Sequence, residues 1–253
     1  MSVSTIISAL FDSTAPSAPS KAGAGAEEGA EAPPLATPES RAFKIRGADS
    51  AGQRSSANVL IRKRYEWRGY GAPSLTQTQM SNRFTLTATD HDAMIGTITV
   101  GLDDNEPLQA QDTFAPEIDA LRAAGHRLCE FTKLAVDTQA SSRQVLASLF
   151  HVAYLLAHRI QGCDTLVIEV NPRHVAYYRR LLGCTVLGAE RTNQRVNAPA
   201  VLLKLDLHYA REQIALLGGR SGLPMDGQRT IYPLFFSAAE ETGIIGRLER
   251  ESW

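Results

Sequence analysis

Glu130 lies in the middle of LCEFTKLAV, Leu128–Val136, a run of strand formers in an otherwise apolar context. A carboxylate placed there is either a working group or one arm of a structural salt bridge, with Lys133 or an arginine as its partner. A second strand-forming run, TLVIEV, stops at Asn171-Pro172, and the helical pattern PRHVAYYRRLLG follows at once. Proline has no N–H to donate and suits the first helical turn, while asparagine is a good N-cap. The strand is therefore cut off sharply and the helix swings away from the sheet, leaving a slot. Tyr177 and Tyr178 project about 100° apart on that helix. One can pack in the core while the other faces the slot, where a phenol can give a proton to a departing thiolate. Packing of both rings is the competing reading.

The elements around these residues have readable patterns. Helices are expected over 55–70, 117–124 and 141–161, the last with Val145, Leu149, Val152, Leu155 and Leu156 at helical spacing and Gly162 as its stop. FKIRG makes a short first strand. RFTLTATDHDAMIGTITVGL reads as two period-two strands joined by Asp-His-Asp-Ala, a β-hairpin. After the Asn-Pro helix come strands CTVLGAE and AVLLKLDL, then a helix over 208–217 and a second one containing YPLFFSAAEETG. Strand, long helix, strand is a right-handed crossover with a parallel pair at its heart. Ligands of such sheets bind where neighbouring strands diverge near their carboxyl ends. Residues 1–41 read as a disordered tail rich in Ala, Pro, Gly, Ser and Glu, 42–207 as the main domain, and 208–253 as a helical extension packed on it.

Bulk properties narrow the function. Net charge is −1 over 253 residues, which argues against a nucleic-acid or membrane-surface binder. Three widely spaced cysteines without C-x-x-C spacing favour buried thiols in a reducing compartment, and cytoplasmic location is the default. No apolar run is long enough to span a membrane. Asp90-His91-Asp92 is read as a solvated turn, His151 and His158 as packing or surface residues, and Arg62-Lys63-Arg64 as a wet helix face; no metal site is expected.

The order of elements, with NPRHVAYYRRLLGC as its most telling piece, resembles the GNAT acyltransferase superfamily. Asn171, Ala176, Tyr177, Tyr178 and Gly183 hold up a slightly lengthened form of its N-x-x-A-x-x-[FY]-Y-x-x-x-G-[FC] motif. LAVD, Leu134–Asp137, looks like the end of the strand before the loop that binds coenzyme A pyrophosphate in that superfamily. The chain departs there. Where [RQ]-x-x-G-x-[GA] is usual it has SSRQVL, with Gln144 and Leu146 in place of glycines that let backbone N–H groups close on a diphosphate. Coenzyme A should be a poor donor, whereas a carrier-protein thioester brings one phosphate only. Two groups of the superfamily use such donors. CEFTKLAVD is similar to the E-x-[ST]-R-[FL]-x-V strand of acyl-homoserine-lactone synthases, with Lys133 replacing Arg, but their acidic cluster after the first helix is not evident. Long-chain N-acyl amino acid synthases of the FeeM type fit better, through RYEWRGYG, NPRHVAYYRRLLG, NAPAVLLKLDL and YPLFFS. The resemblance covers roughly 42–245.

It implies an α+β GNAT fold, a mixed and mostly antiparallel sheet with a splayed parallel strand pair flanked by helices. It also implies transfer of a long-chain acyl group from acyl carrier protein to the α-amine of an amino acid. No permanently bound cofactor is implied; the donor is an acyl-phosphopantetheine thioester, and the lipid product allows peripheral membrane association. Glu130 would be the general base and Tyr178 the acid for the thiolate. Backbone N–H groups at Leu134, Ala135 and Val136, with Asn171, would bind the oxyanion and the donor. Arg143, Arg173, Arg179 and Arg180 would form a docking face for an acidic carrier protein, although each alone reads as a solvated arginine. Tyr65, Trp67 and Tyr70 would line an acyl tunnel or pack their helix. On this reading Glu130→Gln lowers turnover with little effect on folding. The rivals are a coenzyme-A-dependent GNAT acetyltransferase, a lactone-synthase-like enzyme, and a non-catalytic acyl-sensing module.

Overall fold

The computed structural model describes residues 7–11, 41–67, 69–71, 75, 82–137, 142–221 and 230–250. In chain order they form β1 (Ile7–Phe11), β2 (Arg41–Gly47), α1 (Ala51–Glu66), β3 (Arg83–Asp90), β4 (Ala93–Leu102), α2 (Gln111–Ala123), β5 (Leu128–Val136), α3 (Ser142–Tyr154), β6 (Thr165–Val170), α4 (Val175–Leu182), β7 (Thr185–Asn193), β8 (Ala198–Asp206), α5 (Leu207–Leu217) and α6 (Ala238–Leu248). The strands build one sheet in the order β1-β2-β3-β4-β5-β6-β8-β7. All neighbours are antiparallel except β5 and β6.

Local chemistry explains the ends of the elements. Ser50 caps α1 and closes a capping box with Gln53. The β3–β4 hairpin turns at His91, φ +50°. Asn171 caps the turn Pro172–His174 by accepting from the Arg173 N–H at 3.2 Å, and α4 ends at Gly183, φ +81°.

Three expectations need correction. Ile7–Phe11, placed in the disordered tail, pairs with β2 as the sheet's edge strand; residues 12–40 lie outside the described residues. Helix α2 begins earlier than Glu117, at Gln111, because Pro116 is accommodated by a kink at Phe114. In the last segment YPL forms only a short turn, and the helix starts after Ser237, whose side chain and Glu240 make a second capping box.

The extension is part of the main core. Ile231, Tyr232, Phe235, Phe236, Ile244 and Leu248 are buried in one cluster with α3, α4 and the inner strands. A second cluster, on the α2 side of the sheet, holds Phe114, Ile118, Val167, Ala200 and Leu202.

His151, read as packing or surface, is fully buried and ties α3 to the extension. Its Nδ1 accepts from the Phe236 N–H at 2.8 Å, so Nε2 carries the proton and donates to Glu241 Oε1 at 2.7 Å. Burial holds its pKa below the usual 6.5, against the pull of Glu241 and Glu240 and with Arg159 adding to the depression. Because the folded value is depressed, its contribution is present above the unfolded value and lost as pH falls through the folded one. Docking of residues 231–248 should therefore weaken below about pH 6.5, with faster amide exchange there than in β3 and β4. Equal protection at pH 7.5 and 5.5 would contradict this.

Candidate active site

Strands β5 and β6 are paired only from Leu128↔Thr165 to Glu130↔Val167. Beyond that point β5 runs on to Val136 and β6 to Val170 without pairing. Asn171-Pro172 then turns the chain into α4, so the gap stays open. A cavity of about 1000 Å³ fills it.

The walls of the gap differ in chemistry. On the α3–α4 side stand Phe131, Leu146, Phe150, Ile168, Tyr177, Tyr178 and Leu181. The Tyr178 ring meets Phe150 edge-on at 6.5 Å, and Phe150 in turn meets Phe131 at 6.2 Å. Both tyrosines border the cavity rather than one of them entering the core. Tyr177 is 42% exposed, while Tyr178 is partly buried against the main cluster.

On the opposite side the lining is polar: Gln109, Thr132, Lys133, Glu169, Asn193 and Arg195. Glu169 accepts from Asn193 Nδ2 at 3.0 Å and from Arg195. Arg195 also donates to Asp112 at 2.6 Å and to the Gln109 carbonyl. Burial raises the Glu169 pKa above the usual carboxylate value, with Arg195 pulling the other way.

The floor is a bulge in β5. Thr97 faces Ala135 and Thr99 faces Thr132, so Ile98 alone opposes Lys133 and Leu134. Lys133 takes φ +50° there, a left-handed conformation that costs an L-residue about 1–2 kcal/mol. Beyond Glu130 the free edge of β5 borders the opening instead of a neighbouring strand. Leu134 and Val136 line the cavity, whereas Ala135 is buried on the α1 side.

The sequence-predicted residues fare unequally. Glu130 is 1% exposed and does not border the cavity. Its Oε1 accepts from Arg83 at 2.5 Å and from the Gln109 N–H at 2.8 Å, and its Oε2 from the Ala110 N–H at 3.0 Å. The carboxylate expected to be the general base is thus enclosed by donors at the last zipped position of the strand pair, away from the cavity lining. Tyr65 and Tyr70 line the cavity, edge-on at 6.4 Å. Trp67 does not, and at 75% exposure it forms no tunnel wall. Asn171 borders the gap, its Nδ2 donating to the Pro199 carbonyl at 3.3 Å. Of the four arginines, Arg143 and Arg180 reach the cavity rim. Arg173 instead donates to the Tyr70 hydroxyl at 2.7 Å and stacks over its ring, and Arg179 lies exposed on α4.

Glu169 was passed over in the sequence, although the signal was the one noticed at Glu130: a carboxylate inside an apolar strand. Lys133 was read as a replacement for arginine and as a possible partner of Glu130, a place that Arg83 takes instead. Among the described residues no group of three or more His, Cys, Asp or Glu could hold a metal, and no helix is long and apolar enough to cross a membrane.

A split parallel pair with a tyrosine helix behind it is what the resemblance leads one to expect of a GNAT acyltransferase. Residues 56–206, more than half of the chain, match the profile of the family described as N-acyl amino acid synthase FeeM. Among solved structures, that of FeeM, an N-acyl amino acid synthase from uncultured soil microbes, is 26% identical with a TM-score of 0.59, covering 67% of this chain and 93% of that one. A GNAT-family acetyltransferase from Streptococcus pneumoniae is 13% identical with a TM-score of 0.46, covering 65% of this chain and 99% of that one. No curated protein matches. The chain belongs to the FeeM family of N-acyl amino acid synthases and is an acyltransferase of the GNAT fold.

Proposed function

We propose that this acyltransferase moves a long-chain fatty acyl group from acyl carrier protein to the α-amine of an amino acid, in the cytoplasm. The observation that carries the reading is the gap between β5 and β6, with an apolar, aromatic wall on one side and a polar, charged wall on the other. A thioester arm entering along α3 and α4 would meet an amine arriving from the Glu169 side. The free, buried cysteines Cys129, Cys163 and Cys184 suit a reducing compartment.

Each chemical need has a residue. The amine must be neutral to attack, and Glu169, a cavity carboxylate with a raised pKa, is the group to take its proton. The oxyanion would be met by backbone N–H groups along the free edge of β5 near Leu134 and Val136. Collapse expels the thiolate, which takes its proton from Tyr178.

The donor follows from the first turn of α3. Leu146 lines the cavity and Gln144 donates to the Leu234 carbonyl at 3.0 Å, so side chains occupy positions where glycines would open the backbone to a diphosphate. Residues 138–141 of that loop lie outside the described residues. Arg143 and Arg180 at the rim supply positive charge toward an acidic carrier protein.

The test is transfer from palmitoyl-carrier-protein and from palmitoyl-coenzyme A to each of the twenty amino acids, read by mass spectrometry. N-acyl amino acids formed faster from the carrier-protein thioester are expected. Equal or faster transfer from coenzyme A would overturn the donor assignment. Tyr178→Phe should slow turnover by a factor of about ten to a thousand if the phenol protonates the thiolate. An unchanged rate would leave Tyr178 as part of the aromatic wall.

A further inference from the structure

Lys133 is 7% exposed and borders the cavity, yet it has no hydrogen-bond or ion-pair partner among the described residues. The charges around it are otherwise matched. Arg83 is bound to Glu130, whose oxygens already take three donors. Arg195 is bound to Glu169 and Asp112. Of these three cations Lys133 alone has no carboxylate in contact, and it stands on the polar side of the gap. An unpaired buried cation is costly, and a protein keeps one where a ligand supplies the anion.

The backbone reinforces the point. Lys133 occupies the left-handed position of the β5 bulge. Strain of this kind persists where surrounding structure holds it, and here it aims a long side chain at the opening. Burial and the field of Arg83 depress the Lys133 pKa to about 8, with Glu130 opposing and Arg195 adding to the depression. The ammonium is thus predominant at neutral pH, and a bound anion would favour it further.

We infer that Lys133 is the anchor for the α-carboxylate of the acceptor amino acid, holding it beside Glu169 so that the α-amine points into the gap. The assignment rests on the acyl-transfer reading for the identity of the acceptor, but not for the anion preference itself. It explains how one pocket distinguishes an amino acid from a plain amine. Lys133 binds the carboxylate, the Glu169 carboxylate draws the amine, and the two ends of the zwitterion fix its direction.

The experiment is calorimetric titration of the full chain, without any acyl donor, using each of the twenty amino acids beside its carboxamide. The proteins compared are the wild type, Lys133→Met and Lys133→Arg. In the wild type the acid should bind at least tenfold more tightly than the carboxamide. Lys133→Met should erase that preference while leaving the carboxamide affinity within twofold, and Lys133→Arg should restore it in part. The assignment is overturned by a wild type that does not prefer the acid, or by a preference that survives in Lys133→Met. Steady-state rates add a second arm. Lys133→Met should raise KM for the amino acid with little change in kcat; an equal fall in kcat for acid and carboxamide would instead place Lys133 at the oxyanion and overturn the anchor. A wild type that binds acids through Lys133 but acylates nothing keeps the anchor and removes the acyl-transfer reading.

Discussion

Glu130→Gln is expected to lose stability rather than chemistry, by about 3–5 kcal/mol, the usual effect of removing one partner of a buried ion pair. The side chains of Glu130 and Arg83 are 1% and 9% exposed. Glutamine would leave the guanidinium without its counter-charge. Its amide NH2 would also face one of the backbone donors, because Gln109 and Ala110 point N–H groups at different carboxylate oxygens. The pair has little room to adjust: a Cβ on Gly101 would lie 2.8 Å from an Arg83 nitrogen and 2.9 Å from Glu130 Cγ. Replacing both partners, as Arg83→Met with Glu130→Leu, should recover part of the loss, since a well-packed apolar substitute of similar volume is often neutral. Urea unfolding midpoints measure the first effect. Turnover per folded molecule, taken well below the midpoint, should stay within a few-fold of wild type. A variant that keeps its midpoint and loses turnover more than a hundredfold would return Glu130 to the catalytic machinery.

The contrast between Glu130 and Glu169 shows what a sequence can and cannot disclose. Both are carboxylates inside apolar strands, and composition does not separate them. Register does: Glu130 lies opposite Val167 at the last paired step, while Glu169 comes two positions after Val167, where the strands have parted. Register follows from packing over the whole sheet, so neither strand carries it alone. The end of β6 was legible because Asn171-Pro172 acts through its own backbone chemistry. The split pair followed from the order of strands and helices, and α3 from its apolar stripe. Other features depend on distant partners. The Phe236–His151–Glu241 clamp joins residues more than eighty positions apart. The left-handed Lys133 had no signal at all, since lysine is an unusual choice for positive φ and the bulge arises from pairing with β4. Trp67 was misplaced because helical spacing alone does not say which face of α1 meets the sheet; Ala57, Leu60 and Ile61 face inward and Trp67 faces solvent.

The largest effect on the reaction itself is expected at Glu169. Glu169→Gln should lower kcat by about 10²–10⁴, the range associated with loss of a general base. Glutamine keeps an acceptor for Asn193 Nδ2 or Arg195, so the polar wall retains much of its shape while the proton acceptor is gone. A scaffold role and a base role therefore separate in the pH profile. In the wild type, turnover should rise with pH as Glu169 ionises, with the midpoint above the ordinary 4.5 because burial raises its pKa. That rising limb should vanish in Glu169→Gln. Arg195 supplies a check of sign. Its charge lowers the Glu169 pKa, so Arg195→Met should move the limb to higher pH, leaving the carboxyl protonated over a wider range. A limb that stays in place in Arg195→Met, or that persists in Glu169→Gln, would mean that another group removes the proton, and the polar wall would then serve to bind the acceptor alone.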